Sequence, residues 1–430
     1  MNMIVPLTPK PVSATVRMNI REAVPFRLPP GVDLYIAESQ PAALPKQGEA
    51  LRRAVEGAID ETCGARLSEV INRKKQVVLV VDDHTRGTPS VMALEVLYER
   101  LRNLGLDDDQ MLILTAGGTH RRMSDEEIRA KTGVIGERLE VIQHDCRDMG
   151  GLYLAGKVDG IPVWLNRCLK GAGAVIGIGS LVAHKFSGWS GGAKIICPGV
   201  AGYETIYRSH YKSIVEEQIF PGQRDNWFRR FIDAVGDLAG LSFCLNFVPT
   251  IGGIAGVAAG SPRAVLDRNI SYAEKAMAAG FAARVDLVLV SAYPATTDLW
   301  QSGKGFYIGD MLVKDGGTLI LVTPLEEGLG DHPDFITLLD RPPADILELL
   351  ARNRLSDPLA AVASYAIRRT GERCSLRIVT GNSSLYGRTL LGASITGELQ
   401  SVVDSVWLTP GSSVAVLNDS YVLPRLKTEI

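Results

Sequence analysis

Three times in its first 180 residues the chain runs through almost wholly apolar sequence and then turns into a polar, glycine-bearing segment. The runs are residues 76–81, 111–115 and 174–179. A strand that is apolar on both faces predicts a parallel sheet covered by helices on each side. Helical signals follow the first two. Thr88 is placed to cap a helix with Pro89 at its first position. Leu94, Leu97, Tyr98, Leu101 and Leu104 then recur at helical spacing before Gly105 stops it. Ser124-Asp125-Glu126-Glu127 reads as a capping box opening the next helix. Residues 140–143 predict another strand, and Asp159-Gly160 centres a hairpin over 152–168. The fold class is therefore α/β, with a Rossmann-like first lobe. In such sheets ligands gather at the carboxyl ends of the strands. Those ends carry Asp83 and Arg86, His120, and His184 with Lys194.

Elsewhere, residues 1–45 read as an irregular arm with room for a strand or two. Residues 47–72, 200–219, 225–241 and 262–280 have helical patterning, and 241–260 reads as two strands joined by a turn. A second α/β unit begins at 285, with strands expected over 285–290, 318–322, 374–380, 402–407 and 413–417. Its helices are expected around 343–352 and 357–369. The expected division is an N-terminal domain over 1–275 and a C-terminal domain over 276–430. Both are α/β, the first sheet is mostly parallel, and the active site lies in the interlobe cleft.

Hydrophobic residues make up 46% of the 430, enough for a large core. The 46 basic and 48 acidic side chains nearly cancel, which argues against a nucleic-acid or anionic-membrane partner. The first residues lack a signal-peptide pattern, and the six cysteines show no C-x-x-C spacing. A reduced, cytoplasmic protein is expected, with Cys197 the one thiol placed among candidate site residues.

Residues 184–210 concentrate the chemistry. Gly188, Gly191 and Gly192 permit positive φ and close approach to a ligand. Lys194 ends their loop, where an amine can meet an anion or form a covalent bond. A Walker loop is excluded, because Ala193 and Ile195 stand where it requires Gly and Ser/Thr. Four of the six histidines (84, 120, 184 and 210) fall in strand-end or glycine-rich positions, while His144 and His332 read as ordinary. Arg86 suits a carboxylate fork or a local ion pair. Gln301 and Lys304 offer a similar grip from the second half. Asp82 and Asp83 read as a metal pair, or Asp83 as the group orienting a histidine.

Together these segments resemble the nickel-dependent lactate racemase family. The resemblance rests on Asp83-His84-Thr85-Arg86-Gly87-Thr88-Pro89, on Gly118-Thr119-His120, and on the loop from His184 through Ser187-Gly188-Trp189-Ser190-Gly191-Gly192-Ala193-Lys194 to Pro198-Gly199. His210 and Gln301-Ser302-Gly303-Lys304 complete it. It implies a 2-hydroxy-acid racemase or epimerase. The implied cofactor is a nickel-pincer nucleotide: a pyridinium-3-thioamide-5-thiocarboxylic acid mononucleotide carrying nickel, joined covalently to Lys194 after cofactor-synthesis proteins have made it. On the same resemblance His210 would ligate nickel, and Gly191, Gly192 and Thr85 would contact the cofactor. His120 and His184 would act as paired acid/bases with Asp83 supporting His120, and Arg86, Gln301 and Lys304 would hold the substrate carboxylate.

This inventory suits inversion at C2 by reversible hydride removal through a 2-keto acid, which needs a hydride acceptor and a base near each face. A non-catalytic ligand- or metal-binding homologue, or an oxidoreductase with a freely exchanging nucleotide cofactor, are the competing readings. Ala183 and Lys185 beside His184, Trp189 in the loop, His84 and Trp300 depart from the usual family pattern. They point to a larger or more polar 2-hydroxy acid than lactate.

Overall fold

A computed structural model describes residues 12–216, 218–330, 332–352 and 354–427. The chain divides into two compact units: residues 41–276 form one, and the segment up to Gln40 joins 277 onward to form the other.

In the 41–276 unit a six-stranded sheet has the order Gly253–Gly260, Leu241–Thr250, Ala174–Ser180, Val77–Asp82, Met111–Ala116, Glu140–Gln143. Neighbours are parallel except for the edge pair Leu241–Thr250 and Gly253–Gly260, an antiparallel hairpin as expected. Every residue of Val77–Asp82 and Met111–Ala116 is buried. Leu79, Val81, Ile113 and Ile176 share one core with Leu94 and Leu97 of the helix Ser90–Asn103. Truncating one such leucine to alanine costs about 2–5 kcal/mol.

The chain steps outward from Val77–Asp82 to Met111–Ala116 and Glu140–Gln143. It then returns to the opposite side of Val77–Asp82 to lay down Ala174–Ser180. That reversal is a topological switch point, where the loops leaving two adjacent strands diverge and open a crevice. The diverging loops carry Asp83 to Arg86 and His184 to Lys194.

The second unit holds an all-parallel five-stranded sheet in the order Ser375–Thr380, Val313–Thr323, Val285–Ser291, Ser413–Leu417, Asp33–Ala37. Here the structure corrects the expected boundary. Asp33–Ala37, assigned from sequence to an irregular arm of the 1–275 domain, is the edge strand of this other sheet. The hairpin Val12–Arg17 with Ala23–Leu28 also belongs here, its Val16, Phe26 and Leu28 packing on Leu287, Leu289 and Val416.

Two local expectations also change. Residues 402–407 were expected as a strand, but Leu399–Asp404 is a helix. Leu399, Val402 and Val403 fall at i, i+3 and i+4 and pack on the sheet core. Thr88 does not cap the helix after it, because its hydroxyl donates to Asp82 and the helix begins at Ser90. Among the described residues no helix is long and apolar enough to cross a membrane, and all six cysteines are free thiols.

Candidate active site

The loop after Val77–Asp82 is built by two aspartates with different tasks. Asp82 takes Lys131 Nζ on one oxygen at 2.7 Å and the Thr88 hydroxyl on the other. Lys131 also donates to the Arg86 carbonyl at 3.2 Å, so this nearly buried pair shapes the loop that presents Arg86. Asp82 is thereby spent, and the metal-pair reading of Asp82 and Asp83 gives way to the orienting one. Among the described residues no group of three or more His, Cys, Asp or Glu side chains is placed to hold a metal.

Asp83 is 2% exposed. One oxygen meets His120 Nδ1 at 2.5 Å, and the other accepts the Thr85 hydroxyl at 2.6 Å and the Thr85 N–H at 3.1 Å. Burial alone would raise its pKa, but the His120 ring, then Arg86 and Thr85, hold the carboxyl well below the usual carboxylate range. A permanent carboxylate on Nδ1 fixes the proton there and leaves the neutral ring's lone pair on Nε2. Thr85, expected as a cofactor contact, has its hydroxyl engaged by Asp83.

His120 follows Met111–Ala116 in a tight turn, its N–H bonded to Gly117 O at 2.9 Å. The turn is tied to the far end of the 184–210 segment by Gly118 N–H to Gly199 O, also 2.9 Å.

His184 has the opposite arrangement. Its Nδ1 receives the N–H groups of Phe186 and Ser187, each at 3.3 Å, and lies 3.1 Å from the Ser187 hydroxyl. Since Ser187 Oγ also lies 2.7 Å from Trp189 O, its proton has an acceptor there. Two backbone donors on Nδ1 place the neutral ring's proton on Nε2. Thus His120 is set as a proton acceptor at Nε2 and His184 as a proton donor at Nε2.

The glycine loop is fastened from behind. Gly191 and Gly192 take φ of 79° and 54°, conformations that disfavour a side chain. Gly192 N–H donates to Asn246 Oδ1 at 2.7 Å, so this amide serves the loop and not a ligand. The buried Arg229 reaches the Gly191 carbonyl at 3.3 Å and pairs with Asp233 at 3.0 Å. Neither Arg229 nor Asn246 was singled out from sequence; both lie outside any motif.

This loop ends in Lys194. Burial, then the charges of Arg86 and Arg229, lowers its pKa to about 7. Near neutral pH much of the population therefore carries a neutral, nucleophilic amine. His210 lies in the helix Tyr203–Glu216 and donates Nδ1–H to Ile206 O at 2.8 Å. The rings of Phe186 and Phe228 flank it at 5.3 and 4.7 Å. Burial drives its pKa down to about 4, so it stays neutral with its lone pair on Nε2. A buried, neutral imidazole and a half-buried amine of lowered pKa suit a nickel-pincer group attached through Lys194, and the residues fit it.

Cys197 does not share that role. It is fully buried, and burial raises its thiol pKa to about 12. His144 is structural, with Nε2 on Ala201 O at 2.9 Å and Nδ1 against Asn166 at 3.1 Å. His84 lies 3.8 Å from Glu127.

The remaining two candidates stand in the other unit. Asp298 caps Leu299–Ser302 by accepting Gln301 N–H at 2.7 Å, and Lys304 Nζ donates to Gln301 Oε1 at 2.6 Å. The same unit holds a constellation that sequence reading missed. His332 stacks on Trp300 with centroids 3.7 Å apart and meets Asp357 at 2.6 Å. No motif surrounds His332, and its partners lie 32 and 25 residues away in sequence.

An α/β fold with an amine-bearing loop at its switch point and two oriented histidines on loops at the carboxyl edge of the same sheet defines a class of enzyme-like sites, and similarity to known proteins narrows it. Residues 21–222 match the lactate racemase N-terminal domain. The chain is 27% identical over 325 residues to a lactate racemase of Thermoanaerobacterium thermosaccharolyticum, covering 71% of this chain and 72% of that protein. It is 28% identical over 300 residues to a lactate racemase of Lactiplantibacillus plantarum, covering 67% of this chain and 70% of that one. The fold matches the lactate racemase apoprotein structure from T. thermosaccharolyticum with a TM-score of 0.83 at 24% identity, over 96% of this chain and all of that one. A Thermotoga maritima protein structure matches at 0.69 and 19% identity, over 89% of this chain and all of that one. Along most of its length the chain is therefore similar to the lactate racemases.

Proposed function

We propose that the protein is a racemase or epimerase that inverts C2 of a 2-hydroxy acid. The observation that carries this reading is the opposite proton placement on His120 and His184, on loops that leave the two strands flanking Val77–Asp82 in one sheet. Inversion in both directions needs one group to take the hydroxyl proton and another to return it. His120, held by Asp83, takes a proton at Nε2, while His184 presents one at Nε2. When the other enantiomer reacts the roles exchange.

The nickel-pincer nucleotide, when bound, supplies the hydride acceptor that no side chain offers. Lys194 is its proposed covalent anchor and His210 its proposed nickel ligand. Arg86, Gln301 and Lys304 are assigned to the C1 carboxylate, which they hold so that the 2-keto acid stays bound until it is reduced. Gly191 and Gly192 shape the anchor loop, and Thr85 serves Asp83.

Protein produced together with cofactor-synthesis proteins is expected to interconvert the enantiomers of a 2-hydroxy acid. Exchanging His120 and His184 separately for alanine should each abolish turnover. Retained turnover in both variants would remove the two-base assignment.

A further inference from the structure

Gln301 and Lys304 have neighbours that the reading above does not use. The backbone stays helical from Leu299–Ser302 through Gly303 into Lys304–Asp310. Trp300 and Lys304 are therefore four residues apart on continuous helical turns, and their side chains leave the same face.

Against the Trp300 ring lies the imidazole of His332, with the planes 23° apart. His332 arrives from the loop after Val313–Thr323, the strand beside Val285–Ser291. That loop is fastened to the segment preceding Trp300 by two backbone bonds, Glu327 N–H to Thr297 O at 2.7 Å and Leu299 N–H to Gly328 O at 3.1 Å. The histidine is thus held beside the Gln301–Lys304 pair by backbone as well as by stacking.

Its ring nitrogens are in unequal positions. Nδ1 meets Asp357 Oδ2 at 2.6 Å. Asp357 is 4% exposed, and its other oxygen caps the helix Pro358–Gly371 by accepting Ala360 N–H at 3.2 Å. The carboxylate cannot turn away without releasing that cap. Nδ1 therefore carries the proton, and the face of the ring is covered by Trp300. Among the described residues Nε2 has no hydrogen-bond partner. His144 shows what a purely structural histidine looks like in this chain, with both ring nitrogens bonded to protein.

We propose that His332 is a further substrate-binding residue that sets specificity, its Nε2 receiving an oxygen-bearing group of the substrate at C3 or beyond. Asp357 and Trp300 are its positioning residues. This rests on the assignment of Gln301 and Lys304 to the C1 carboxylate. With Nδ1 fixed, Nε2 accepts from a hydroxyl when the ring is neutral and donates to a carboxylate when it is charged. Either group satisfies a polar atom that an alkyl tail would leave unpaired, and a site built to bond an oxygen discriminates against the analogue lacking it. The preferred substrate class is a 2-hydroxy acid with a second carboxylate or hydroxyl.

The test is calorimetric binding of lactate, malate and glycerate to the full-length protein and its variants. Wild type is expected to bind malate or glycerate about 10- to 100-fold more tightly than lactate, and the tighter of the two tells whether a carboxylate or a hydroxyl is the favoured group. His332→Phe should bring both to the lactate level while lactate stays within about twofold. Asp357→Asn, which keeps an oxygen for the helix cap, should narrow the preference without changing lactate affinity. Should His332→Phe fold poorly, as judged by melting, His332→Gln carries the same comparison. Equal affinities in wild type, or variants that weaken all three acids alike, overturn the proposal. Lys304→Met separates the two assignments. If it leaves all three affinities intact while His332→Phe still removes the preference, the C1 assignment fails and the His332 site stands. No binding of any acid sinks both.

Discussion

Asp83 meets His120 Nδ1 at 2.5 Å from a position of almost complete burial, while His184 Nδ1 is turned toward backbone donors. One residue type is thereby set into two tautomers by what its Nδ1 touches. Asp83→Asn keeps the shape and removes the charge that fixes the His120 proton. Turnover should fall by about two to four orders of magnitude, with substrate affinity changed little. Nitrogen-15 spectra of the wild-type rings should show protonated Nδ1 in His120 and protonated Nε2 in His184.

Lys194 offers a second prediction through its lowered pKa of about 7. In protein lacking cofactor, acylation of this amine should be half-maximal near pH 7, about three units below an ordinary lysine. Mass mapping of the labelled peptide across pH measures this directly. The linkage sign also follows. Between the folded and ordinary values the unfolded chain holds the proton and the folded chain does not, so this group makes stability rise with pH over that window. An ordinary lysine titration at this position would refute the burial argument.

The buried pair Asp82–Lys131 supports the loop that carries Asp83 and Arg86 without joining its proposed chemistry. Lys131→Met would leave a carboxylate uncompensated in the interior. The loss should be about 3–5 kcal/mol, read as a lower denaturation midpoint with an unchanged slope. Turnover should fall as well, because Lys131 also holds the Arg86 carbonyl.

Much of this site was legible in the sequence because buried parallel strands announce themselves as apolar runs, and their carboxyl ends are where polar groups collect. Val77–Asp82, Met111–Ala116 and Ala174–Ser180 proved to be adjacent strands, so the loops holding Asp83, His120 and Lys194 do share one edge. What escaped depends on distant pairing. Asp33–Ala37 finds its partner in Ser413–Leu417, and nothing in its own residues reveals that. The short apolar run near Val402 fits strand and helix alike until its packing partners are known. His332 becomes meaningful only beside Trp300 and Asp357. Gly192 looked like a ligand cradle, yet its N–H belongs to Asn246, a residue 54 positions on.

The central claim is inversion at C2 by hydride removal and return, with His120 and His184 moving only the hydroxyl proton. The most direct measurement uses a single enantiomer of a 2-hydroxy acid carrying deuterium at C2, incubated in ordinary water with the cofactor-loaded protein and followed by chiral separation with mass detection. The account predicts that the opposite enantiomer appears with its C2 deuterium retained. Inversion with loss of the label to solvent would mean that C2 is deprotonated instead, and would contradict the account.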